Sequence, residues 1–155
     1  MRRKLLIALV GIAVVALIMV VLLRPPFRST HFVISDADLR STDATVQAQA
    51  ALEQFFNALG SGDQSAAEDL SVPGRGPTAW AVSRLAVYGI SPAGSDAPAD
   101  GILVDGRPAV FRSFNATVRM WPGDGSTDPG ELLQWTWWME RCSDGKWRLY
   151  DHGEG

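Results

Sequence analysis

Every position from Leu5 to Leu23 is apolar or glycine, and only beyond Arg24 does the chain alternate between hydrophobic and polar residues. This run of 19 residues would extend roughly 28 Å as a helix, about the thickness of one bilayer core. A cleaved signal peptide has a shorter apolar region followed by a small-x-small site. Here Arg24-Pro25-Pro26-Phe27-Arg28 follows, and three-residue spacing from Ser29 puts Pro26 or Phe27 where a small side chain is required. The pattern predicts an uncleaved signal anchor within residues 1–24. Arg2, Arg3 and Lys4 precede the span, while Arg24 and Arg28 behind it are soon diluted by Asp36, Asp38 and Asp43. The positive-inside rule therefore puts the N-terminus in the cytoplasm and the C-terminal domain outside the cytoplasmic membrane.

Residues 25–42 open with a double proline and read as a stalk, with an extended piece at His31-Phe32-Val33-Ile34. A compact domain is expected over residues 43–155. Ala48, Leu52, Phe55, Phe56 and Leu59 recur at helical spacing behind the cap candidates Thr42 and Asp43, and Gly60 is the expected left-handed stop. Asp63 caps a second, shorter helix through Ala66, Ala67 and Leu70, closed by Pro73-Gly74-Arg75-Gly76-Pro77. Period-two patterning then predicts four strands, over Val82–Ile90, Ala109–Trp121, Glu131–Cys142 and Lys146–His152. The loops Ser91–Gly101 and Pro122–Gly130 are expected to be exposed, with Asp105-Gly106 turning a small hairpin of its own. In the second strand Val110, Phe114, Ala116, Val118 and Met120 share one face, against Ser113, Asn115, Thr117 and Arg119.

The last hairpin can be registered from turn chemistry. A two-residue Asp144-Gly145 loop mixes apolar and charged residues on both faces. A three-residue loop Ser143-Asp144-Gly145, with Gly145 left-handed, instead places Leu133, Trp135, Trp137 and Met139 on the face of Trp147 and Leu149. The same register sets Trp138 opposite Tyr150 and Glu140 opposite Arg148 on the other face.

The segment Phe55-Phe56-x-Ala58-Leu59-x-Ser61-Gly62-Asp63, a short second helix, and the closing strand Asp144-Gly145-Lys146-Trp147-Arg148-Leu149-Tyr150-Asp151 together resemble the nuclear transport factor 2-like superfamily, the cystatin-like, ketosteroid-isomerase type. Trp135-Thr136-Trp137 is similar to the preceding strand of membrane-anchored bacterial members. The resemblance covers about residues 43–152 and implies an α+β fold in which a curved antiparallel sheet wraps a long helix, forming a cone. Isomerases, cyclases, dehydratases, ligand binders and membrane scaffold components share that cone, so the fold does not choose among them.

Composition narrows the choice. Residues 25–155 hold 17 acidic against 10 basic side chains, a net charge of −7 that argues against nucleic acid as a partner. Cys142 is the only cysteine, so no intrachain disulfide forms. His31 and His152 lie far apart with no partner at metal-ligand spacing, and the loop aspartates lack calcium-loop spacing, so no metal and no cofactor is expected. Tyr88, Tyr150 and His152 are the few groups with catalytic potential, and each reads more simply as packing or surface. The expected lining of the cone, as pocket or core, is Leu52, Phe55, Leu59, Trp135, Trp137 and Trp147, with Trp121 and Trp138 harder to bury. Trp138 and Tyr150 are the expected partner surface on the outer face. The sequence thus predicts a single-pass protein, held by the bilayer through Leu5–Leu23, with a non-catalytic binding or scaffold domain outside the cell membrane. Its expected partner is a second copy or another membrane protein. The alternative is a small-ligand pocket or an isomerase or dehydratase working in the cone.

Overall fold

In the computed structural model, residues 29–75, 82–94, 103–104, 107–122 and 128–154 are described. The expected anchor Leu5–Leu23 and the Arg24–Arg28 segment lie outside them. Among the described residues no helix is long and apolar enough to cross a membrane. Among the described residues the architecture is α+β: three helices, α1 (Asp36–Leu39), α2 (Ala44–Ser61) and α3 (Gln64–Asp69), precede six strands. These are β1 (Val82–Gly94), β2 (Leu103–Val104), β3 (Arg107–Pro108), β4 (Val110–Pro122), β5 (Leu132–Arg141) and β6 (Trp147–Glu154). The antiparallel main sheet has the order β1-β4-β5-β6, and β2 and β3 form a separate two-stranded ladder.

The helix boundaries follow from local hydrogen bonding. Asp43 accepts from the amides of Thr45 and Val46, satisfying two donors that α2 would otherwise leave orphaned. Asp63 does the same for Ala66 at the start of α3. The stop of α2 is Gly62, at φ 75°, rather than Gly60. Gly62 N–H bonds to Leu59 O and Asp63 N–H to Ala58 O, the paired bonds of a Schellman motif. Gly60 stays helical, and its missing side chain makes room for the entry segment, since a Cβ there would stand 3.2 Å from the Cβ of Ser29.

That contact reflects how the chain enters the domain. The Thr30 amide donates to Leu85 O on the open edge of β1, and its hydroxyl accepts from the Val87 amide. Asn57 on α2 grips Phe32 through both backbone groups, accepting from its N–H at 2.8 Å and donating to its carbonyl at 2.9 Å. Ser29 to Phe32, within the expected stalk, therefore lie against the helix and the sheet.

One face of α2 is buried without interruption: Ala48, Leu52, Phe55, Phe56 and Leu59 pack on Leu85, Phe114, Val118, Trp137, Met139 and Leu149 of the sheet. Phe56 meets Trp137 edge to face, with ring centroids 4.9 Å apart. Three register irregularities in β1 against β4, and one in β6 against β5, bend the outer strands. β4 differs from the expected pattern at its start, where Val110 is exposed opposite Arg141, while Phe111 and Ser113 are buried on the face turned away from α2.

The final hairpin has the three-residue loop. Cys142 N–H donates to Lys146 O, Gly145 N–H closes the turn onto Cys142 O, and Gly145 sits at φ 81°. Arg141 pairs with Trp147, Glu140 with Arg148 and Met139 with Leu149. The expected Trp138–Tyr150 pair does not form. Tyr150 is an extra residue in a bulge, so Trp138 faces Asp151 and Trp137 faces His152. Leu149 is the residue before the bulge, and it is held from the far side as well. Its carbonyl accepts from Val72 and its amide donates to Leu70 O, so residues 70–72 cover the β6 edge.

Candidate functional site

The residues expected to line a cone are brought together, and they fill the space between α2 and the sheet. Leu52, Phe55 and Trp137 have no exposed surface, Leu59 and Trp147 are nearly as enclosed, and Trp135 is half-buried at the margin. Trp147 reaches across with its indole N–H, which donates to Gln47 Oε1 at 3.0 Å, while Gln47 Nε2 donates to Leu39 O.

The bulge at Tyr150 carries His152 onto this inner face. Its imidazole lies against Trp137, with centroids 5.1 Å apart and planes at 28°, and beside Trp135 at 5.0 Å. Burial lowers its pKa from 6.5 to about 4, an effect the nearby Asp151 carboxylate only partly offsets. The imidazole is neutral near pH 7.

Tyr150, expected on an exposed partner surface, is 2% exposed, and Trp138 is half-buried. The Tyr150 and Phe111 rings pack edge to face, centroids 5.0 Å apart, and the Arg75 guanidinium lies over the Tyr150 ring, 4.0 Å from its centroid. Tyr88 on β1 is exposed. His31 lies exposed on the entry segment, far from His152 in the sequence. No group of three or more metal-ligating side chains occurs among the described residues.

A cleft of about 710 Å³ opens between residues 68–75 and the β5–β6 hairpin, on the side of the sheet away from α2. Ser71, Arg75, Glu140, Cys142, Arg148 and Tyr150 are among its walls. Local structure positions each of them. Ser71 is pinned by donating its hydroxyl to Ala67 O at 2.8 Å, and Arg75 follows a turn closed by its own amide onto Val72 O. Glu140 and Arg148 are cross-strand partners as the register requires, yet the guanidinium turns to Asp144 in the hairpin loop. Arg148 Nη1 and Nη2 meet the two Asp144 oxygens at 3.0 and 2.7 Å, a bidentate geometry. Asp144 is thereby held well below the usual carboxylate range, at about 2.

The expected Glu140–Arg148 ion pair is thus replaced, and Glu140 is left in an unusual state. It is 2% exposed, and its Oε2 is buried without a hydrogen-bond partner. Burial raises its pKa, with the charge of Arg75 acting in the opposite direction. A buried carboxylate oxygen without a hydrogen bond costs folding free energy, and such groups concentrate where a ligand completes their bonding. Only the register was visible in advance; nothing local in the sequence tells that Asp144 would outcompete Glu140 for the guanidinium.

No protein-family model matches the chain, and no curated protein or solved structure is similar to it at a significant level.

Proposed function

We propose that the chain is a single-pass, membrane-anchored protein that presents a non-catalytic binding domain outside the cytoplasmic membrane. The domain in this reading is a nuclear transport factor 2-like arrangement whose cone serves as its core, with binding moved to the outer cleft beside β6. The observation that carries it is the packing between α2 and the sheet, where Leu52, Phe55, Phe56 and Trp137 leave no exposed surface. A cone filled in this way has no room for a substrate, whereas the cleft is open and offers the unsatisfied Glu140. The apolar Leu5–Leu23 run supports the anchor, and the net charge of −7 after it supports a partner other than nucleic acid. That partner is a second copy of the chain or another membrane protein.

A second reading, a small-ligand pocket or an isomerase or dehydratase, is favoured by one observation. His152 is a neutral imidazole on the inner face next to the half-buried Trp135, a polar group among apolar ones that a ligand there could hydrogen-bond.

Native mass spectrometry on the full chain, extracted from its own membrane in mild detergent, tests the choice. Homodimer mass, or an increment matching another membrane protein, supports the binding reading. A small-molecule adduct lost in a His152→Phe variant supports the second. A bare monomer of 16.8 kDa in every detergent contradicts both.

A further inference from the structure

We propose that the cleft between residues 68–75 and the β5–β6 hairpin binds an alkylammonium group, with the Glu140 carboxylate as its counter-charge. The inference rests on the reading of this cleft as the site that receives the partner and adds the chemical group it would receive, an alkylammonium such as a lysine side chain presents.

Three observations carry it. Glu140 lines the cleft and is 98% buried, and its Oε2 lacks a hydrogen bond, so a cationic donor at the cleft wall would compensate a carboxylate that the protein leaves poorly satisfied. The charges around the cleft also favour a cation. Glu68, Asp69, Glu140 and Asp144 face two guanidiniums, those of Arg75 and Arg148. Arg148 is already committed to Asp144 through both nitrogens, which leaves three carboxylates against Arg75. The third observation concerns geometry. Arg75 lies over the Tyr150 ring at 4.0 Å, so the aromatic face on which a second guanidinium would stack is occupied. A compact ammonium needs no such platform and can approach the carboxylate as a point charge. Val72 and Pro73 in the wall offer apolar contact to the alkyl chain behind such a head group.

The test uses the full-length protein in detergent micelles, titrated with n-butylammonium, n-butanol and n-butyrate while NMR follows the backbone amides and the Glu140 side-chain carboxyl. The expected result is saturable n-butylammonium binding with shifts at Ser71, Arg75, Glu140 and Cys142. Glu140→Gln keeps the shape and removes the charge, and should weaken that binding at least about tenfold. Because a change at a buried position can disturb folding, Arg75→Gln at the exposed side of the cleft gives an independent reading. Removing the opposing charge should tighten n-butylammonium, and unchanged or weaker binding overturns the charge argument. Saturable binding of n-butyrate instead of n-butylammonium overturns the ligand class but leaves the cleft as a site. No saturable shift in the cleft with any of the three probes removes the cleft reading itself. Equal n-butylammonium affinity in a folded Glu140→Gln variant removes Glu140 from the role.

Discussion

His152 stacks on Trp137 at 5.1 Å because Tyr150, two residues earlier, bulges out of the β5–β6 ladder. The bulge shifts the end of β6 by one position, which exchanges the faces of every residue after it. Without it His152 would point away from α2.

The stack has a consequence for acid stability. The folded pKa of His152 is about 4, below the ordinary 6.5, so the unfolded chain binds the proton more readily. The contribution of this group to stability is fully present above pH 6.5 and is lost as the pH falls toward 4. Denaturant titrations at pH 7 and pH 4.5 should show the loss. His152→Phe retains an aromatic ring against Trp137, and its stability should fall less over the same interval.

Glu140 acts in the opposite sense. Its folded pKa is raised above 4.5, so its protonated form fits the fold better and stability declines as the pH rises through the folded value. Glu140→Gln should therefore be more stable than the parent at pH 7, with the advantage shrinking as both are acidified below pH 4.5. Chemical denaturation at the two pH values reads the difference directly. A parent more stable than Glu140→Gln at pH 7 would mean that the carboxylate has a partner.

Gly145 isolates a backbone effect. A Cβ built there meets nothing within 4 Å, so any cost of substitution comes from φ 81° alone. Gly145→Val should destabilise the domain by about 1 kcal/mol or more, since a β-branched residue resists the left-handed region. The denaturant midpoint measures it, and an unchanged midpoint would refute the strained turn.

Asn57 ties the entry segment to α2. Asn57→Ala removes both bonds to Phe32 and should cost about 1 to 2 kcal/mol. Hydrogen exchange should show the Phe32 amide losing protection while the amides of β4 and β5 in the core keep theirs.

The parts legible in the sequence are those governed by neighbours a few positions apart. Asp43 and Asp63 cap helices through amides two or three residues on, and the Ser143-Asp144-Gly145 loop follows from one glycine and the alternation of its flanks. The core face of α2 was readable from its period for the same reason. What escaped depends on contacts distant in the chain. Gly60 is needed for the close approach of Ser29, while the left-handed turn falls to Gly62. The Tyr150 bulge follows a residue, Leu149, whose amide and carbonyl bond to Leu70 and Val72 beyond the β6 edge. Arg148 chose Asp144 over its cross-strand neighbour Glu140 because a loop carboxylate could meet the guanidinium with both oxygens. The cleft depends on all three elements meeting, so no window of the sequence contained it.

Whether the domain is held outside the cell by an uncleaved anchor is read by one labelling experiment. In a Cys142→Ser background, Ser65→Cys places the chain's only thiol on the exposed side of α3. Intact bacteria expressing this variant are treated with a membrane-impermeant maleimide, then lysed and washed with alkaline carbonate. The account predicts a chain labelled before lysis and retained in the membrane pellet. A thiol that reacts only after lysis, or a labelled chain released by carbonate, would contradict it.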